Sequence, residues 1–88
     1  MLVNKIDLTE KFKKSFRKLP ASVQKQAVFK IEIFKIEPLG KSLKTHKLKG
    51  KLKNKWSFSV DYSHRIVFEF ASKSEVVFYD IGDHDVYR

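Results

Sequence analysis

The chain contains no cysteine, two prolines, three glycines and a single tryptophan. Without cysteine there is no disulfide framework and no thiolate metal site, in keeping with a reducing compartment. No apolar run approaches the roughly 20 residues that a membrane-spanning helix needs. The first residues, MLVNKIDLTEKFKK, lack the long apolar stretch of a secretory signal. These absences predict a soluble, cytoplasmic protein with no membrane association. The few prolines and glycines are expected to act as punctuation: Pro20 and Pro38 at helix boundaries, Gly40, Gly50 and Gly82 in turns.

Acidic residues are scarce as well. Ten Asp and Glu stand against 19 Lys and Arg, a net charge of +9 over 88 residues. Disorder is not expected, because 42% of the residues are hydrophobic and they recur periodically. A small folded domain this basic usually meets nucleic acid, an acidic protein or a membrane surface; the alternative is a well-solvated surface. The length predicts one domain, 1–88.

The apolar pattern changes period midway. Residues 2–6, LVNKI, predict a short strand. In LTEKFKKSFRKL, Leu8, Phe12, Phe16 and Leu19 recur at helical spacing, with Asp7 or Thr9 as the cap. The segment PASVQKQAVFKIEIFKIEP carries a stripe of Val23, Ala27, Ile31 and Phe34, flanked by Val28, and ends at Pro38. So short a link between two helices predicts an antiparallel αα-hairpin. KWSFSV then alternates Trp56, Phe58 and Val60 against Ser57, Ser59 and Asp61, a strand with one buried face. RIVFEFA and VVFYDI follow after the turns DYSH and SKSE, an antiparallel meander. The expected fold class is α+β: an N-terminal strand and αα-hairpin packed on a twisted, mainly antiparallel sheet of about four strands.

Residues 41–55, KSLKTHKLKGKLKNK, contain seven lysines and no acid. If extended, Lys47, Lys49, Lys51, Lys53 and Lys55 share one face, with Gly50 breaking the row. Such a ridge suits a phosphate backbone or an acidic protein; lysines that protect a sheet edge are the alternative. The three histidines, His46, His64 and His84, lack metal-site spacing, so no metal is expected. Each can serve as general acid or base. Lysines around His46 would lower its pKa, and Asp83 and Asp85 would raise that of His84, so the two can divide acid and base roles. Arg65 opens an apolar strand, where it can fork onto a phosphate or pair with Glu69 or Asp61.

HKLKG, WSFSV, HRIVFEF and VVFYDIGDHDVY, in that order after a helical hairpin, resemble the RelE/ParE superfamily of type II toxins across nearly the whole chain. The most specific part is the tail: apolar strand, glycine, His-Asp, aromatic. Within the superfamily the sequence is most similar to RelE- and YafQ-like mRNA interferases. That resemblance implies a ribosome-dependent endoribonuclease that cuts mRNA by acid/base transesterification without a metal or other cofactor. By it, His84 and His46 are proton-transfer residues, Arg65 contacts the scissile phosphate, and Tyr87 orients a base or assists proton transfer. Lys47, Lys49, Lys51 and Lys53 would bind substrate. So would Ser57 and Ser59, which stand where RelE has catalytic lysines, and His64, near where YafQ-like members have a tryptophan. The implied partners are the ribosome, mRNA and a cognate acidic antitoxin, with operator DNA bound only through the antitoxin complex. The alternatives within the fold are a ParE-like inhibitor of DNA gyrase and a non-toxic antitoxin-binding member.

Overall fold

The structure, a computed structural model, describes residues 2–87 except for the side chains of His84 and Asp85. Strand β1 (Lys5–Leu8) leads into helices α1 (Glu10–Arg17) and α2 (Ala21–Ile36). Four strands follow: β2 (His46–Lys47), β3 (Trp56–Ser59), β4 (Arg65–Phe70) and β5 (Glu75–Gly82). One-turn 3-10 helices sit at Lys41–Leu43, Gly50–Leu52 and His84–Tyr87.

The α+β class is as expected, but the sheet has five strands instead of about four, in the order β1-β5-β4-β3-β2. The extra strand is β2, two residues within the lysine segment, antiparallel to β3. β1 joins parallel to β5 and the other pairs are antiparallel. β1 begins later than LVNKI suggests, and Leu8 belongs to it rather than to the α1 stripe. Its side chain is exposed.

Local chemistry explains the helix boundaries. The Thr9 hydroxyl accepts the Phe12 N–H at 3.0 Å, as an N-cap does, and donates to the Tyr79 carbonyl at 2.8 Å. One side chain thus starts α1 and ties it to β5. Pro20 sets the backbone entering α2 without a side-chain cap. Gln24 then donates to the Phe16 carbonyl at 2.8 Å, fastening the second helix to the end of the first. The helix ends before Pro38, which disfavours helical geometry in the residue ahead of it.

The helices cover one face of the sheet, and phenylalanine fills the space between. Phe34 of α2 stacks on Phe58 with ring centroids 4.6 Å apart and meets Phe68 and Phe78 edge-on at 4.8 and 5.5 Å. Offset and edge-to-face arrangements of this kind suit the ring quadrupoles. Ala27 and Phe34 are buried, Val23 and Ile31 half-buried, and Val28 is 53% exposed, outside the stripe that it flanks in sequence. A bulge changes the facing of β5. Val67 pairs with Asp80 but Phe68 pairs with Phe78, which leaves Tyr79 as the extra residue. Phe78 and Ile81, three apart, therefore both reach the core, and Asp80 points to the opposite face.

Truncating Phe34→Ala should destabilise the protein by about 3–5 kcal/mol. The urea midpoint measures it, and a change comparable to that of a surface substitution would show that the aromatic cluster does not hold the layers together.

Candidate functional site

The sheet face opposite the helices is built by register. His46 pairs with Ser57, Ser57 with Val67, and Val67 with Asp80. The next row is Ser59, Arg65 and Gly82. These residues share a face because paired residues of adjacent strands point the same way. Sequence alternation assigns Ser57 and Ser59 to a solvent face, yet both are buried. Ser57 is covered by the C-terminal turn. Beyond Gly82 the chain folds back, Val86 is buried, and the Tyr87 hydroxyl lies 2.9 Å from Ser57 Oγ. Glycine is required at 82 because a Cβ there would lie 2.9 Å from Val86 Cγ1. His84 belongs to this same turn; its side chain lies outside the described residues.

His46 is exposed on the edge strand, its Nδ1 3.0 Å from the Lys44 carbonyl. A carbonyl only accepts, so Nδ1 carries the proton and Nε2 is the nitrogen that can take one. Lys44 adopts a left-handed backbone at φ 52°, which turns the chain between the preceding 3-10 helix and β2.

The lysines do not form one continuous ridge. Gly50, at φ +69°, and the 3-10 turn after it break the row. Leu48 N–H meets the Lys55 carbonyl at 2.9 Å, closing a loop whose Lys49, Lys51 and Lys53 are exposed. Lys55 is set apart. Its Nζ pairs with Glu69 at 3.1 Å and sits over the Tyr79 ring, 4.1 Å from the centroid.

His64 sits in the turn between β3 and β4, held by Asp61. Asp61 Oδ1 accepts the N–H of Ser63 at 2.9 Å, that of His64 at 2.8 Å, and faces His64 Nδ1 at 2.9 Å. Burial pushes the Asp61 carboxyl up, but the His64 side-chain hydrogen bond, the two backbone N–H groups and the His64 charge together hold it below the usual carboxylate range. Arg65 Nη1 donates to the carbonyls of Asp61 at 3.1 Å and His64 at 3.4 Å, so it grips the turn through backbone and pairs with neither carboxylate. The site therefore brings His46, Ser57, Ser59, Arg65 and Tyr87 onto one face, with Lys47, Lys49, Lys51 and Lys53 at its margin and His64 in the adjoining turn.

Asp80 escapes sequence reasoning. It is nearly buried, accepts from Ser15 Oγ at 2.6 Å and the Ile81 N–H at 2.9 Å, and lies 3.6 Å from Lys11 Nζ. Only the bulge reveals its facing, and no local pattern predicts a bulge there.

No protein-family model matches the chain, and no curated protein matches it by sequence. Solved structures do. One is the RelBE2 toxin–antitoxin complex of Mycobacterium tuberculosis, with a TM-score of 0.79 and 19% identity over 96% of this chain and 94% of that one. Another is YafQ of E. coli, with a TM-score of 0.70 and 17% identity over 96% and 97%. A third is a conserved hypothetical protein of Helicobacter pylori, HP0894, with a TM-score of 0.72 and 26% identity over 97% of each chain. The chain has the RelE/ParE toxin fold. In this chain the C-terminal tail and the sheet face opposite the helices form the surface just described.

Two outcomes test this geometry. Tyr87→Phe leaves the buried Ser57 hydroxyl without its partner and should lower stability by about 1–2 kcal/mol, read from urea unfolding. The depressed pKa of Asp61 means its stabilisation is present above the usual carboxylate pKa and is lost as pH falls through the lower, folded value. The native protein should therefore exceed Asp61→Asn in stability at neutral pH, with the gap closing in acid. A gap independent of pH would refute the ionic contribution.

Proposed function

We propose that the chain acts as one toxin domain of a type II toxin–antitoxin pair and cleaves ribosome-bound mRNA in the cytoplasm. The fold supports a toxin role, and one observation favours cleavage over binding alone. The Tyr87 hydroxyl is pinned to Ser57 at the centre of a face that also carries His46 and Arg65, beneath the turn that contains His84. These are proton-transfer and phosphate-binding groups gathered from four separate segments.

In the proposed reaction a base removes the proton from a ribose 2′-OH, and that oxygen attacks the adjacent phosphorus. The P–O5′ bond breaks, and an acid delivers a proton to the leaving 5′-oxygen. A 2′,3′-cyclic phosphate and a 5′-hydroxyl result. His46, with Nε2 able to accept a proton, suits the base, and His84 supplies the acid. Arg65 and the lysines offset the charge that builds on the phosphoryl oxygens. Lys47, Lys49, Lys51 and Lys53 dock on RNA, and the partner that silences the site is an acidic antitoxin, as the RelB–RelE complexes among the structural matches suggest.

The ParE-like alternative, gyrase inhibition, uses the same fold without these proton-transfer groups. His84→Ala in a translation extract should lower mRNA cleavage roughly a hundred-fold or more with the circular-dichroism spectrum unchanged. Mapped 5′ ends phased with the ribosome are the readout. Full cleavage by the variant would overturn the His84 assignment, and DNA damage without cut messages would favour the gyrase reading.

A further inference from the structure

Beside Arg65, where α2 and the first 3-10 turn approach the β3–β4 hairpin, lies a pocket of about 330 Å³. Three cations line it, Lys30, Lys44 and Arg65, against one carboxylate, Asp61. Asp61 directs Oδ1 onto Ser63 and His64, inside its own turn. Arg65 commits Nη1 to two carbonyls, and among the described residues the rest of its guanidinium fork has no partner. Gln26 and Ser59 add neutral hydrogen-bonding groups to the lining. At the rim stands Tyr62, whose ring is 96% exposed. Among the described residues that ring makes no aromatic or cation–π contact and buries almost no surface, so solvating it in a four-residue turn carries no structural gain.

A cationic recess with an uncovered aromatic at its lip matches the two halves of a nucleotide. We infer that this pocket is a binding site for one nucleotide unit of single-stranded RNA. The phosphate sits against Lys30, Lys44 and Arg65, and the base stacks on Tyr62. The inference deepens the reading of RNA as substrate and rests on it. Arg65 borders both the sheet face and the pocket, so the unit held here neighbours the scissile phosphate and fixes the strand's register across the site. None of Lys30, Lys44 or Tyr62 belongs to the lysine loop at residues 48–55, so the pocket is a second contact, separate from that loop.

The test uses the full chain and a fluorescein-labelled single-stranded RNA oligonucleotide, with anisotropy followed over a salt series. Tyr62→Ala should weaken binding roughly five-fold or more at fixed salt, with the salt dependence unchanged, because stacking releases no counterions. Tyr62→Phe should restore it, since the ring and not the hydroxyl makes the contact. The Lys30→Ala/Lys44→Ala double variant should reduce the slope of log K against log salt by about 0.7 for each phosphate charge no longer neutralised. A double-stranded RNA of the same sequence should show no Tyr62 dependence, its bases being stacked within the duplex. Binding by Tyr62→Ala and by the double lysine variant that equals the parent's overturns the site. If Lys49→Ala/Lys51→Ala/Lys53→Ala alone then weakens binding, RNA recognition by the toxin stands and only the pocket fails. A parent that binds no RNA overturns the pocket, while cut messages in the translation assay judge the toxin reading separately.

Discussion

Phe34 joins the two layers at their centre. It stacks on β3 and meets β4 and β5 edge-on, so a single helical residue touches the three central strands at once. It seats α2 across the middle of the sheet, so the buried apolar residues of the helices go to one face. The opposite face has no helix across its middle: α1 reaches its β5 side, where Ser15 and Lys11 meet Asp80, and the lysine loop and the C-terminal turn cover part of the rest. The candidate site follows from that division, because a face left partly open can be lined by polar groups that water stays near enough to solvate.

Several of the acids are held by local partners. Glu69 is taken by Lys55, Asp80 by Ser15 and Lys11, and Asp61 by its own turn. Glu10 and Glu32 pair with lysines one helical turn away, on the helices. Lys47, Lys49, Lys51 and Lys53, by contrast, have no ion pair among the described residues. An excess of +9 distributed evenly would give a weakly attractive surface. Those four lysines raise the positive potential at their margin of the sheet.

Most of the fold was legible because its determinants are local. The stripe from Val23 to Phe34 declares a helix, Pro20 and Pro38 bound it, and the alternation of Trp56, Phe58 and Val60 declares a strand. The parts that were not legible depend on pairing across the sheet. Ser57 and Ser59 alternate like solvent-facing residues, yet both are buried, Ser57 against Tyr87 of the returning tail. β2 is two residues long, too short for any periodicity to register. The Tyr79 bulge reverses the facing of Asp80 without a glycine or other marker. Among the site residues, Arg65, Tyr87 and His46 could be named from sequence by their resemblance to a known tail and strand pattern. That Tyr87 meets Ser57, or that Arg65 grips the turn through carbonyls, is a matter of register and could not be.

The chemistry of the tail sets how firmly the site is closed. Burying Val86 against Gly82 contributes about 1.5–3 kcal/mol, and the Tyr87–Ser57 hydrogen bond adds about 1 kcal/mol. The helix side of the sheet is held by four interlocked phenylalanines and is far harder to open. The asymmetry fits the proposed RNA-cleaving role, in which a face that admits a strand is not sealed like a core while Tyr87 is held in place by Ser57. The buried Val86 side chain and one hydroxyl contact fix the turn that carries His84, and both are weak beside the aromatic packing on the other face. Gly82 leaves room for this packing, since a Cβ there would lie 2.9 Å from Val86 Cγ1.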